Sequence, residues 1–79
     1  MPRKPTPEQA FGLVMREWRE RSGLSQEALA FACGRHRTYV SLLERGRSSP
    51  SLRTVFDVAR ALGVRPSDML TDVERALRR

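Results

Sequence analysis

The sequence predicts an all-α fold, a compact five-helix bundle, and three observations lead there. Apolar residues recur at three- and four-residue intervals along most of the chain. Ser, Thr and Pro stand where helices would begin, and Gly stands where most of them would end. No stretch alternates with the period of two that a half-buried strand requires, so no strands are expected. At 79 residues the chain has room for one domain with one core.

Residues 1–6 form a basic arm, since "MPRKP" has nothing to bury. The domain occupies 7–79. Thr6 caps the first helix, Pro7 takes its first position, and Gln9, three residues after the cap, completes a capping box. Phe11, Val14, Met15 and Trp18 then line one side, opposite Arg16, Glu17, Glu20 and Arg21, and Gly23 closes the helix. Ser25 caps a second helix of about two turns with Leu29, Ala30 and the core residue Cys33 on one side and Gly34 at its end. The third runs from about Arg37 to Arg45, turns Val40 and Leu43 inward and stops at Gly46. After the loop "RSSPS", Ser51 caps a fourth helix in which Leu52, Val55, Val58, Ala59 and Leu62 repeat at helical spacing before Gly63. Pro66 opens a fifth helix carrying Met69, Leu70, Val73 and Leu77.

Composition narrows the function. Fifteen Lys+Arg against 9 Asp+Glu give a formal net charge of +6, which favours an anionic partner. All the basic residues except Lys4 are arginine, whose fork suits phosphates and guanine edges. A lone cysteine excludes an intrachain disulfide and points to a reducing compartment, with the cytoplasm as the expected location. The N-terminus lacks the apolar core of a signal peptide, and no window approaches the roughly 18 apolar residues of a membrane span. One His and no Cys pair leave no metal site. No glycine-rich phosphate loop and no partnered carboxylate pair are present, so neither a cofactor nor an enzymatic activity is expected.

Two short helices joined by a tight glycine turn, the second basic and amphipathic, form the outline of a helix-turn-helix. From 34 to 53 the chain carries five arginines and one acid, Glu44. With His36 as cap and Arg37 and Thr38 in the first turn, Ser41, Leu42 and Arg45 follow on one outward stripe, while Val40 and Leu43 point the other way. That face is cationic and narrow enough for a major groove.

The segments "FGLVMREWRERSGLSQEALA", "CGRHRTYVSLLERG" and "SPSLRTVFDVARALGV" make residues 11–70 resemble the Cro/C1-type (XRE) helix-turn-helix regulators, which have a lambda-repressor-like DNA-binding domain. "RTYVS" followed by "ERG" is most similar to the controller proteins of restriction-modification systems. The resemblance implies a homodimeric transcriptional regulator of double-stranded DNA, bound to a pseudo-palindromic operator and autoregulatory, with RNA polymerase as a further candidate partner. It assigns base contacts to Arg37, Thr38, Ser41 and Leu42, and a backbone contact to Gln26, where exposed N–H groups also favour an anion. Tyr39, Arg45 and Arg47 are placed to clamp the backbone on the other side, with Arg35 a further candidate. About four to six neutralised phosphates per protomer would give a steep salt dependence, with a log–log slope near −0.9 for each. Arg19 and Glu44 match a family pair that forms an internal ion bridge. Family dimers use the fourth and fifth helices, which directs the interface to Phe56, Leu70, Val73 and Leu77, with the off-stripe Leu13 given less weight.

Position 35 is usually apolar in this family. Either Arg35 lays its stem over the core with its head in solvent or on a phosphate, or the turn differs locally. Three alternative readings stand beside the regulator. The first is an antitoxin that binds a toxin protein and represses its own operon. The others are a protein-interaction adaptor on the same bundle and a basic amphipathic membrane binder.

Overall fold

A computed structural model describes residues 4–79, so residues 1–3 of the expected basic arm lie outside the described residues. The described chain forms α1 (Pro7–Arg21), α2 (Gln26–Ala32), α3 (Arg37–Glu44), α4 (Leu52–Leu62) and α5 (Pro66–Leu77), with no strand among the described residues. The helix starts follow local chemistry. Thr6 Oγ1 accepts from the Gln9 amide at 3.1 Å, and Gln9 Oε1 accepts from the Thr6 amide at 2.9 Å, which is the reciprocal capping box. Ser25 and Ser51 accept from the amides of Ala28 and Thr54. His36 caps α3 through Nδ1, which accepts from the Thr38 amide at 3.1 Å. The third helix ends one residue earlier than the spacing predicts, with Arg45 as its C-cap.

Helix α1 is the spine of the bundle, packed along α5 and across α3, while α2 packs on α3 and more lightly on α4. Val14, Met15, Leu29, Val40, Leu43, Val58 and Met69 are fully buried between these elements. Removing such side chains from water stabilises the fold by about 1.5–3 kcal/mol each. Cys33 is part of this core, its thiol 3.7 Å from the Ala30 carbonyl. Burial pushes the Cys33 pKa up, with the neighbouring Arg35 charge pulling partly against it, so the sulfur stays a protonated, unreactive thiol at neutral pH. Trp18 is half-buried rather than central: its ring packs on the core, its Nε1 donates to Asp72 Oδ2 at 2.9 Å, and the Arg21 guanidinium lies 4.7 Å from its centroid. Two residues leave their expected places. Leu52, read as part of the α4 stripe, is 72% exposed because it sits in the first turn, before the helix reaches the core. Val73, expected at a contact between copies, is taken up by the protomer's own core at 7% exposure and offers a second copy almost no surface.

Two glycines set how closely α3 approaches α1. A methyl group on Gly12 would collide with the Leu43 carbonyl oxygen and come within 2.6 Å of that of Glu44. Gly46, just past α3, has φ +70°, and a Cβ there would lie 2.8 Å from Gln9 Cα. The end of α3 thus rests backbone against backbone on the first turns of α1. Flexible side chains can move aside, but these backbone atoms cannot. Gly12→Ala is therefore expected to destabilise the fold by at least the cost of overpacking, about 1–3 kcal/mol. Thermal unfolding would show this as a Tm lowered by roughly 4–8 °C per kcal/mol. An unchanged Tm would mean that α1 and α3 are not in backbone contact.

Candidate nucleic-acid interface

The inner side of the site is built around Glu44. Its carboxylate is 3% exposed, and Arg19 grips it from α1 with two bonds, Nε to Oε2 at 2.6 Å and Nη2 to Oε1 at 3.1 Å. Gln26 Nε2 donates to Oε1 at 3.0 Å from the start of α2. Arg19 Nη1 also donates to the Leu24 carbonyl at 2.8 Å, in the turn between α1 and α2. One acid therefore joins α1, the α1–α2 turn, α2 and the end of α3. The bonds to Glu44 raise the Arg19 pKa above its ordinary value despite the opposing effect of burial, so its guanidinium stays charged at every accessible pH. No buried side-chain polar atom among the described residues is left without a partner.

The outer side is cationic. Val40 and Leu43 are buried against the bundle, which turns Thr38, Ser41, Leu42 and Arg45 outward and leaves Arg37 on the flank nearest α2. Gln26, Arg37, Thr38 and Ser41 line one shallow recess of about 180 Å³. Leu42 lies outside this recess and is half-buried. Arg45 and Arg47 are exposed at the far end of α3, where Arg45 Nε donates to the Ser41 carbonyl at 3.3 Å. Tyr39 packs partly on the core from the opposite flank.

Ion pairing separates two groups of arginines. Among the described residues Arg16, Arg19, Arg35, Arg65, Arg75 and Arg79 each face an acid. Arg37, Arg45, Arg47 and Arg53, on or around α3 and the start of α4, enter none of these pairs, and neither do Arg21, Arg60 and Arg78. Arg35 departs from its sequence assignment to the DNA backbone. Its guanidinium is occupied within the protein, binding Asp57 Oδ2 at 3.0 Å, Thr54 Oγ1 at 3.2 Å and the Cys33 carbonyl at 3.1 Å. The acid that draws it away is 22 positions distant, so only the fold reveals it.

Large apolar side chains are exposed both beside this face and away from it. Phe56 is 48% exposed on α4 and Leu70 42% on α5, with Leu77 half-buried. Phe31 at the end of α2, 89% exposed, was not singled out by the helical spacing, which sorts residues by face but cannot see what a short helix leaves uncovered. Among the described residues no group of His, Cys, Asp or Glu could hold a metal ion, and no helix is long and apolar enough to cross a membrane.

The Glu44 cluster yields a direct test. Glu44→Ala leaves the Arg19 charge buried and unpaired, and chemical denaturation is expected to show a loss of about 3–5 kcal/mol. Replacing both partners, Arg19→Met with Glu44→Leu, is expected to recover most of that loss. If the single change cost less than about 1 kcal/mol, the pair would be behaving as a surface bridge.

Comparison with known proteins agrees with this geometry. A family profile described as helix-turn-helix matches residues 15–69. The chain is 48% identical over 61 residues to the control protein C.BamHI of Bacillus amyloliquefaciens, covering 76% of this chain and 75% of that one. The crystal structure of the restriction-modification controller protein C.AhdI from Aeromonas hydrophila superposes with a TM-score of 0.75 at 43% identity, covering 77% of this chain and 92% of that one. The clp gene regulator ClgR from Corynebacterium glutamicum superposes with a TM-score of 0.92 at 30% identity, covering 96% of this chain and 81% of that one. With its five helices, its arginine-flanked α3 and these relatives, the chain belongs to the Cro/C1-type helix-turn-helix family of DNA-binding transcriptional regulators, and restriction-modification control proteins are among the members it resembles.

Proposed function

We propose that this chain is a sequence-specific regulator that binds a pseudo-palindromic operator in double-stranded DNA as a homodimer and controls its own transcription. The observation that carries this reading is the separation of charge. Arg37, Arg45 and Arg47, exposed on and just past α3, enter no ion pair with an acid among the described residues, and the one acid of that helix, Glu44, is turned inward and bound by Arg19. A row of phosphates laid along such a face would neutralise these cations and release counterions. The likeness to control proteins supports autoregulation.

In this reading α3 enters the major groove. Arg37 reaches a guanine edge with its two-pronged donor, Thr38 and Ser41 offer hydroxyls to neighbouring bases, and Leu42 meets a thymine methyl. Gln26, Tyr39, Arg45 and Arg47 hold the phosphates on either side. Gln26 keeps one amide hydrogen for that task, since its other is donated to Glu44. Arg35, held by Asp57, is not among them. A second copy docks through Phe56, Leu70 and the half-buried Leu77, placing two recognition helices in successive major grooves about 34 Å apart.

Selection of bound duplexes from a random library at physiological salt is expected to return a two-fold symmetric site. Arg37→Ala is expected to weaken binding by about 1–3 kcal/mol per contacted guanine and to relax preference at that position alone. Arg45→Ala or Arg47→Ala is expected to weaken all sequences alike and to make the log–log salt slope shallower by about 1 per protomer. Selected sequences without symmetry would contradict the dimeric reading, and an Arg37→Ala variant with unaltered base preference would overturn the assignment of Arg37 to a base.

A further inference from the structure

Arg35 stands in the turn between α2 and α3, two positions before Arg37, and it reaches across to α4. Besides Asp57 and Thr54 it binds the Cys33 carbonyl of its own turn, so its head is fixed at both ends. Thr54 is 3% exposed, and its hydroxyl lies 3.0 Å from that of Ser51, the cap of α4. The bridge therefore runs from the turn that launches the recognition helix to the first turns of α4. Asp57 also lines a shallow groove with Leu52, Arg53, Phe56 and Arg60, on the α4 face that carries the exposed Phe56.

The packing of α3 is on α1 and α2, so its orientation relative to α4 is inherited indirectly. Apolar contacts are non-directional, whereas a guanidinium bound to a carboxylate, a hydroxyl and a carbonyl fixes an angle. That angle matters to a dimer on DNA, because each base pair inserted between half-sites moves one recognition helix by about 3.4 Å and turns it by roughly 35°. A phosphate contact is the competing role. It would require Arg35 to leave Asp57, whose carboxylate side chain is only 25% exposed and would lose its cation.

We infer that Arg35 and Asp57 are positioning residues that hold the recognition helix at a fixed angle to the α4 face, and thereby set which half-site separation the dimer accepts. This rests on the dimeric operator reading above. It makes the bridge a determinant of spacing, without contact to any base.

The test measures affinity for duplexes carrying the selected half-site at its preferred separation and at separations one base pair longer and shorter, for wild type, Arg35→Met, Asp57→Asn and the double variant. Arg35→Met keeps an unbranched stem over the core, and unfolding curves for all four proteins check that each is folded. Wild type is expected to prefer one separation, and each single variant to lose roughly tenfold of that discrimination. The double variant should lose no more than either single one, with base preference and salt slope unchanged. A spacing preference intact in both single variants would overturn the inference. So would a salt slope shallower by about 1 per protomer in Arg35→Met with spacing preference intact, which would make Arg35 a phosphate contact. A wild-type protein indifferent to separation would overturn the dimeric reading itself, and the inference with it.

Discussion

Glu44 places a negative charge on the helix whose outward side and end carry Arg37, Arg45 and Arg47, and the molecule resolves that conflict by turning the carboxylate inward. At 3% exposure, with two bonds from Arg19 and one from Gln26, it is satisfied inside the protein. Desolvating two charges is expensive, and a pair of this kind adds little net stability over a well-packed apolar replacement. Its value lies in geometry. A bidentate arginine–carboxylate pair holds only in one relative arrangement of α1 and α3, and Gly12 and Gly46 let the backbones come close enough to form it.

With the acid removed from the outer face, Arg37, Arg45 and Arg47 have no acidic partner among the described residues. Elsewhere the chain pairs Arg16, Arg65, Arg75 and Arg79 with acids and leaves Arg21, Arg60 and Arg78 without one, so what distinguishes α3 is that its single acid is turned inward. The two sides of the helix therefore serve different ends. Val40, Leu43 and Glu44 fix its position, and the residues between them are left free to meet a ligand. Fixing the scaffold tightly and leaving the reading face unpaired is what a binding helix requires, since a loosely held helix would lose affinity to its own ordering.

Much of this was legible in the sequence because it is local. The capping box at Thr6 and Gln9, the serine caps of α2 and α4, and the inward Val40 and Leu43 follow from spacing and short-range chemistry. The approach of Arg19 to Glu44 came from family resemblance, because a pair 25 positions apart leaves no trace in spacing. What sequence reasoning missed is tertiary. The bridge from Arg35 to Asp57, the bond from Trp18 to Asp72 and the close approach at Gly12 each depend on which helices become neighbours. Val73 illustrates the same limit: its apolar character was evident, yet only packing decides between a core and a contact with another copy.

The most direct measurement of the central claim is the change in backbone amide NMR shifts when the selected duplex is added. The account predicts that the largest changes fall at Gln26, at Arg37, Thr38, Ser41 and Leu42, and at Arg45 and Arg47, with Val14 and Met15 in the core of α1 little affected. Changes centred on α5, with α3 silent, would contradict it.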